Sequence, residues 1–335
     1  MIRHLFAACL LLAVCAPASA VTTLKIATVA PDGTTWMQEL RKGGDKIAER
    51  TAGRVKLRFF PGGVMGNDKS VLRKIRINQL QGGVIISGGL TEIYPDVALY
   101  NIPFIFRSYD EADYVRKRMD PLLLKGLAEH GFVSFGFSEG GFAYLMSNRP
   151  IHSIDDLKGR KMWVPEDDRL SRIVFDAIDV TPIPLPLTDV LTGLQTGLID
   201  TVASSAIGAI ALQWHTQIKY LVDEPLVYLY AALVIDSKAF QRLSDTDQAI
   251  VRQVMEAVFQ RLNRQNRSDD AEARRALKAQ GIVFVDPSEN SRQREAEIRT
   301  EAERRLLQEH ILSSALLQTL EDILKAKRQA DAGHE

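Results

Sequence analysis

Cysteine is absent from this chain beyond residue 15. Cys9 and Cys15 both fall in a leading segment that reads as removable, so the remainder has no thiol, no disulfide and no cysteine-ligated metal. Histidine is sparse: His130, His152, His215 and His310 are scattered, with no pair at the spacing of a zinc site. Excess charge is lacking as well. The 42 basic residues balance 42 acidic ones, and removing residues 1–20 takes away Arg3 and no acid, leaving 41 against 42. That balance gives no case for nucleic acid or for an anionic membrane surface as partner. After residue 20 there is no apolar run of the roughly 20 residues that a membrane span requires.

The leading segment has the anatomy of an export signal. Arg3 supplies positive charge, Leu5 to Val14 an apolar run too short to span a bilayer, and Ala18-Ser19-Ala20 a small-residue cleavage site. Cleavage is expected after Ala20, with the mature chain in a bacterial periplasm. Cys15 makes a poor lipid anchor, because bulky Val14 precedes it. About 315 residues remain, enough for a sizeable core in two domains.

Strand-like and helix-like segments alternate, which predicts an α/β fold. Leu24 to Val29 reads as a strand, and Trp36, Leu40 and Ile47 follow at helical spacing, with Gly53 just past the end. Val55 to Phe60 is a second strand, closed by Pro61-Gly62-Gly63. A helix from about Lys69 to Leu80 leads through Gly82-Gly83 to a strand at Val84 to Ser87. A helix from about Thr188 to Thr196 ends at Gly197 and feeds a strand at Leu198 to Ala203, suggesting a weak internal repeat. Phe132 to Phe137 and Ala231 to Ile235 read as strands where the chain crosses between lobes near 137 and returns near 232. Ser244 or Asp245 caps a helix to about Arg267, Gly281 to Val285 is a short strand, and Gln293 to Ala332 is nearly all helix formers. The expected division is 1–20 signal peptide, 21–137 plus 233–285 lobe I, 138–232 lobe II, and 286–335 a helical segment packed on the lobes.

Four segments carry a resemblance: GRVKLRFFPGGVMGND (Gly53 to Asp68), IPFIF (Ile102 to Phe106), DLKGRKMWVP (Asp156 to Pro165) and LQTGLID (Leu194 to Asp200). In order and spacing the chain resembles the DctP-like solute-binding proteins of TRAP (tripartite ATP-independent periplasmic) transporters, over nearly all of its mature length. The resemblance implies two α/β lobes joined by hinge strands and a long helix, in a periplasmic-binding-protein-like fold with the ligand cleft between them and a helical C-terminus. It implies capture of a small organic solute by hinge closure, and delivery to a small and a large integral-membrane subunit driven by an ion gradient. No cofactor, metal or nucleic acid is expected, and the chain has no GxxxxGK[ST] phosphate loop. A monomer is expected.

The chain departs from the family where an arginine usually grips a ligand carboxylate. Trp163 stands in that place, and Ala143 stands near the place of a second common arginine. A guanidinium holds a carboxylate through two charge-assisted bonds of about 1.5–3 kcal/mol each. Trp163 offers a flat apolar face and one N–H donor instead. Three readings stay open: a neutral or aromatic ligand stacked on Trp163; a cation over Trp163 helped by Glu139 or by Glu166-Asp167-Asp168; or an acid held by Lys161, which in an extended strand shares a face with Trp163. Trp163→Ala is then expected to weaken binding with little change in unliganded stability.

Other candidate contacts follow by position. Trp36 follows the first strand, Ser87 ends a strand facing the crevice, and Phe104 lies in IPFIF. Ser204 stands where the family often has asparagine. Tyr228 and Tyr230 precede the second hinge strand, and Glu139 enters lobe II beside Gly140-Gly141. Two rival functions remain: a ligand-sensing partner of a membrane receptor, and an exported serine hydrolase. The second rests on Gly136-Phe137-Ser138-Glu139-Gly140, which matches G-x-S-x-G. A nucleophile elbow needs a helix after the serine, whereas Phe142 to Met146 read as another strand.

Overall fold

The computed structural model describes residues 21–166, 168–176, 178–288 and 291–333. The expected signal segment and Asp167 lie outside the described residues. In chain order the elements are β1 (Thr22–Thr28), α1 (Thr35–Arg50), β2 (Val55–Phe60), α2 (Asp68–Arg76), β3 (Gly82–Ile86), α3 (Ser87–Leu90) and α4 (Tyr109–Glu129). Then come β4 (Phe132–Ser134), β5 (Ser138–Ser147), β6 (Trp163–Pro165), α5 (Arg169–Asp176), β7 (Ile183–Leu185), α6 (Val190–Thr196), β8 (Thr201–Ser204) and α7 (Ala206–Ala211). The chain finishes with β9 (Tyr220–Val222), β10 (Val227–Asp236), α8 (Ser237–Phe240), α9 (Asp245–Ala279), β11 (Val283–Val285), α10 (Ser291–Gln308) and α11 (Ser314–Ala332).

One sheet runs through the molecule in the order β11-β9-β5-β10-β3-β1-β2, with β4 on β10 and β8 on β5. Its two longest strands serve both halves. The first half of β5 pairs antiparallel with the first half of β10, while Tyr144 to Ser147 lie against β8. The second half of β10 lies between β3 and β4. The chain therefore passes between the halves twice along continuous strands, and a kink sits where they cross. The β5–β10 register shifts between Leu229 and Tyr230. Opposite Leu229 stands Gly141 at φ +85, a left-handed conformation that favours glycine in mid-strand.

Helices cover the sheet because each has an apolar face. The face of α1 buries Met37, Leu40 and Ile47, and its Gly43 lets α9 approach: a Cβ there would lie 2.7 Å from Val258 Cγ2. With 35 residues, α9 is about 52 Å long. Its first half, with Val251, Met255, Val258 and Leu262 buried, packs on α1; farther along it meets β5 and α7. At the C-terminal end α11 docks on α4 through Lys327 to Asp110 and Arg328 to Glu111.

Several boundaries differ from the expected ones, each for a local reason. Helix α2 stops at Arg76 because Asn78 turns left-handed, at φ 60. The expected strand 132–137 ends at Ser134, and the extended strand expected to hold both Lys161 and Trp163 reduces to Trp163–Pro165. Helix α9 continues past Arg267, since no helix breaker occurs before Gly281. The final helical stretch is two helices, broken at left-handed His310, and Ser313 caps the second. In both units of the expected repeat a helix leads to a strand, α2 to β3 and α6 to β8, but the glycines between them serve different ends. Gly82 sits inside β3, where an added Cβ would meet the Val234 carbonyl, while Gly197 is the left-handed C-cap of α6.

Candidate functional site

A cavity of about 350 Å³ lies between the two halves of the sheet, bounded by the loop after β1, α3, the β5–β10 crossing, β6, α5 and α7. That size suits a small organic molecule. Six of the residues singled out in the sequence line it: Trp36, Ser87, Phe104, Trp163, Ser204 and Tyr230. Ala143 lines it too, so both positions at which the resemblance places an arginine border this space.

Trp163 is almost wholly buried. Its Nε1 donates to the Leu185 carbonyl at 3.0 Å, and its ring meets Trp214 edge-on at 5.1 Å and 75°. It is therefore a structural element as well as a wall, and the expectation that alanine there would spare stability is corrected. Trp36 donates from Nε1 to Asn266 Oδ1 at 3.2 Å, and Tyr230 donates its hydroxyl to the Val97 carbonyl. Phe104 adopts φ 57, rare for an aromatic residue, with its N–H donating to the Leu226 carbonyl at 2.8 Å. Such backbone strain gathers at sites of recognition.

Three of the nine candidates do not line the cavity. Lys161 is exposed, and its Nζ donates to the Gly197 carbonyl at 2.7 Å. The strict alternation expected of 160–164 fails because the strand begins only at Trp163 and residue 162 forms a lone bridge to Thr201. Glu139 and Tyr228 instead form a buried polar cluster behind the wall. Tyr228 Oη donates to Glu139 Oε2 at 2.7 Å, and Arg267 donates to both Glu139 oxygens at 2.6 and 2.8 Å. Arg116 donates to the Tyr228 hydroxyl at 2.8 Å and to the Phe137 carbonyl at 2.7 Å, and it pairs with Asp120. Burial drives the Tyr228 phenol well above its usual range, with Arg116 opposing and Glu139 adding to the rise. Asn266 joins cluster to cavity, since its Nδ2 donates to the Glu139 carbonyl while its Oδ1 receives Trp36. The cluster fixes α4, β5, β10 and α9 to one another at the crossing of the long strands.

The site also contains a residue that carries no signal in the sequence. Trp214 follows left-handed Gln213 in a short turn without any motif. With it, all three tryptophans of the chain face one cavity. Asp168, one of the acids of Glu166-Asp167-Asp168 named for the cation reading, lines the cavity as well. Its carboxylate accepts from Ser171 N at 3.0 Å and Ser171 Oγ at 2.6 Å, and burial outweighs these bonds and lifts its pKa above 3.8. Among the described residues the lining contains no lysine, arginine or histidine, and Asp168 is its one carboxylate. No group of three potential metal ligands converges among the described residues, and no helix there is long and apolar enough to cross a membrane.

The geometry around Ser138 does not suit a nucleophile. Ser138 is completely buried in β5, its hydroxyl has no hydrogen-bond partner among the described residues, and the chain continues from it as a strand rather than a helix. His215 instead holds the Ala209 carbonyl through Nδ1 at 3.1 Å.

Residues 26–309 match the family described as bacterial extracellular solute-binding protein, family 7 (DctP). The chain is 23% identical over 291 residues to the sialic acid-binding periplasmic protein SiaP of Vibrio cholerae, covering 85% of this chain and 89% of that one. Among solved structures it is similar to a sugar acid-binding protein of Advenella mimigardefordensis in complex with galactonate, with TM-score 0.84, 18% identity and 92% and 99% of the two chains covered. It is similar also to a TRAP periplasmic solute-binding protein of Haemophilus influenzae with bound L-gulonate, with TM-score 0.83, 18% identity and 90% and 99% covered. These structures share the two-lobe fold. The chain belongs to the DctP family of TRAP solute-binding proteins, which bind small organic solutes and work with TRAP membrane subunits.

Proposed function

We propose that this DctP-family receptor captures, in the cavity between its lobes, a small organic solute that is not gripped through a carboxylate. The relatives named above take sialic acid, galactonate or gulonate. The observation supporting a different ligand is the lining itself, in which no basic side chain occurs among the described residues. An acid entering this space would lose its hydration without gaining a counter-charge, and burying an unpaired carboxylate is strongly unfavourable. Three tryptophans and Phe104 offer apolar and aromatic faces in its place.

Residues 21–137 with the return from 233 would form one lobe and 138–232 the other, as the paired crossings of β5 and β10 support, but 283–285, expected in the first lobe, pairs as β11 with β9 of the second. Asn67 Nδ2 donates to Glu166 Oε2 at 3.1 Å and the Asp168 carboxylate lies beside Gly88, contacts between the proposed lobes that closure would make and opening would break. The closed form would be what the small and large membrane subunits recognise. Capture and closure involve no bond chemistry, so no catalytic role is assigned to any residue. The chain would act as a monomer in the periplasm after cleavage behind Ala20.

The test is a thermal-shift screen of residues 21–335 against solutes grouped as carboxylates, neutral or aromatic compounds, and cations. A ligand at 100 times its dissociation constant stabilises by about 2.7 kcal/mol. Hits confined to the last two groups support the reading. Hits confined to galactonate, gulonate and similar acids refute it.

A further inference from the structure

We propose that the solute is a small organic cation, an ammonium or quaternary ammonium group on a compact body, with Asp168 as its counter-charge. This rests on the reading of the cavity as the solute site, and three observations carry it.

The first is that Asp168 is an acid without an ion pair among the described residues. Its oxygens accept from Ser171 and from the Leu170 N–H, all neutral donors, and no lysine or arginine forms an ion pair with it among the described residues. Arg172, which acts on it electrostatically, is exposed on α5 and does not line the cavity. A carboxylate has about four acceptor positions, so capacity remains for a ligand. Burial pushes this carboxyl above 3.8 against the pull of its hydrogen bonds. The second is that the local fold does not demand a charge here. Asp168 serves as N-cap of α5 by accepting from Ser171 N, a task that asparagine performs equally well. The third is the company it keeps. Trp163, Trp214, Trp36 and Phe104 line the same space, and aromatic faces attract a cation through their quadrupoles. Ser87 and Ser204 add hydroxyls for a polar group on the ligand body. Aromatic walls with one acid and no base make a site selective by charge: they favour a cation, tolerate its neutral isostere and repel the acid.

Titration calorimetry with three probes of one shape tests this: choline, 3,3-dimethylbutan-1-ol, in which carbon replaces the nitrogen, and 3,3-dimethylbutanoate. The mature protein should bind choline at least tenfold more tightly than the alcohol, and the butanoate most weakly of all. In Asp168→Asn, which keeps the cap, the ratio of choline to alcohol affinity should fall several-fold, to what the aromatic faces alone supply. Equal affinities in the wild type, a ratio that survives Asp168→Asn, tightest binding of the butanoate, or no binding of choline overturns the assignment. Binding of the alcohol alone, or of another uncharged solute in the screen, would leave the receptor reading standing while removing the cation. Binding of acids alone would remove both.

Discussion

Replacing Trp163 by alanine should destabilise the empty protein by about 3–5 kcal/mol, the usual range for removing a buried aromatic side chain. The contributions can be followed in the structure. The ring is 5% exposed, so its apolar area is nearly all withdrawn from water. Its edge-on contact with Trp214 adds about 0.5–1.5 kcal/mol beyond burial. Its Nε1 bond to Leu185 contributes about 1 kcal/mol, and because the site adjoins a cavity the freed carbonyl can take water. Urea unfolding followed by far-UV circular dichroism measures the loss as a lowered midpoint at constant slope. Trp163→Phe, which keeps a ring and loses the donor, should recover most of it. A loss below about 1 kcal/mol for the alanine variant would refute the packing argument and leave Trp163 as a ligand wall only. Solute affinity in the same variant should fall at least tenfold, or about 1.4 kcal/mol.

Glu139→Gln removes one partner of the buried cluster and should lower stability by about 3 kcal/mol, at the low end for a broken buried pair because Arg267 reaches solvent; a change under about 1 kcal/mol in urea unfolding would contradict the cluster's role. At Glu111 burial raises the carboxyl, but hydrogen bonds from Arg328 and the Arg107 N–H outweigh it and hold its pKa below 4.5. A depressed folded pKa gives stability that is present above the unfolded value and lost as pH falls through the folded one. Arg328→Gln should therefore melt below wild type at pH 7, with the gap closing towards about pH 3; a gap that stays constant would show that the pair contributes nothing through charge. Lys161→Ala should change solute affinity less than twofold, since its amine is bound to Gly197 outside the cavity; a tenfold loss by calorimetry would return it to the site.

Local signals in the sequence are legible where one principle dominates. β2 spans the residues that its alternating pattern and Pro61-Gly62-Gly63 predict, and Ser244 caps α9 as its side chain suggests. Helix α4 is harder to read. Ser108 and Glu111 form its cap, and Ala112, Val115, Met119, Leu123 and Leu127 fall at helical spacing, but Pro121 in the middle obscures that pattern. At the site, residues at strand ends and in the first loop are legible because α/β topology brings such positions to the crevice. The placing of Lys161 fails because it assumes an extended backbone before the strand has begun. Glu139 and Tyr228 stand out as polar residues near the hinge, but their partners Arg116 and Arg267 lie far away in sequence and only the packed helices bring them together. Trp214 carries no motif, and its role emerges only from the shared cavity; Asp168 is legible as one of three neighbouring acids, but only the fold brings it to the lining.

The most direct test of a solute site without a basic grip uses the tryptophans themselves, since all three border the cavity. Intrinsic emission of the mature protein is titrated with galactonate and L-gulonate, and in parallel with the leading neutral and cationic compounds from the screen. A saturable change with the neutral or cationic compounds and none with the sugar acids is the expected result. Saturable binding of the acids with no response to the others would contradict it.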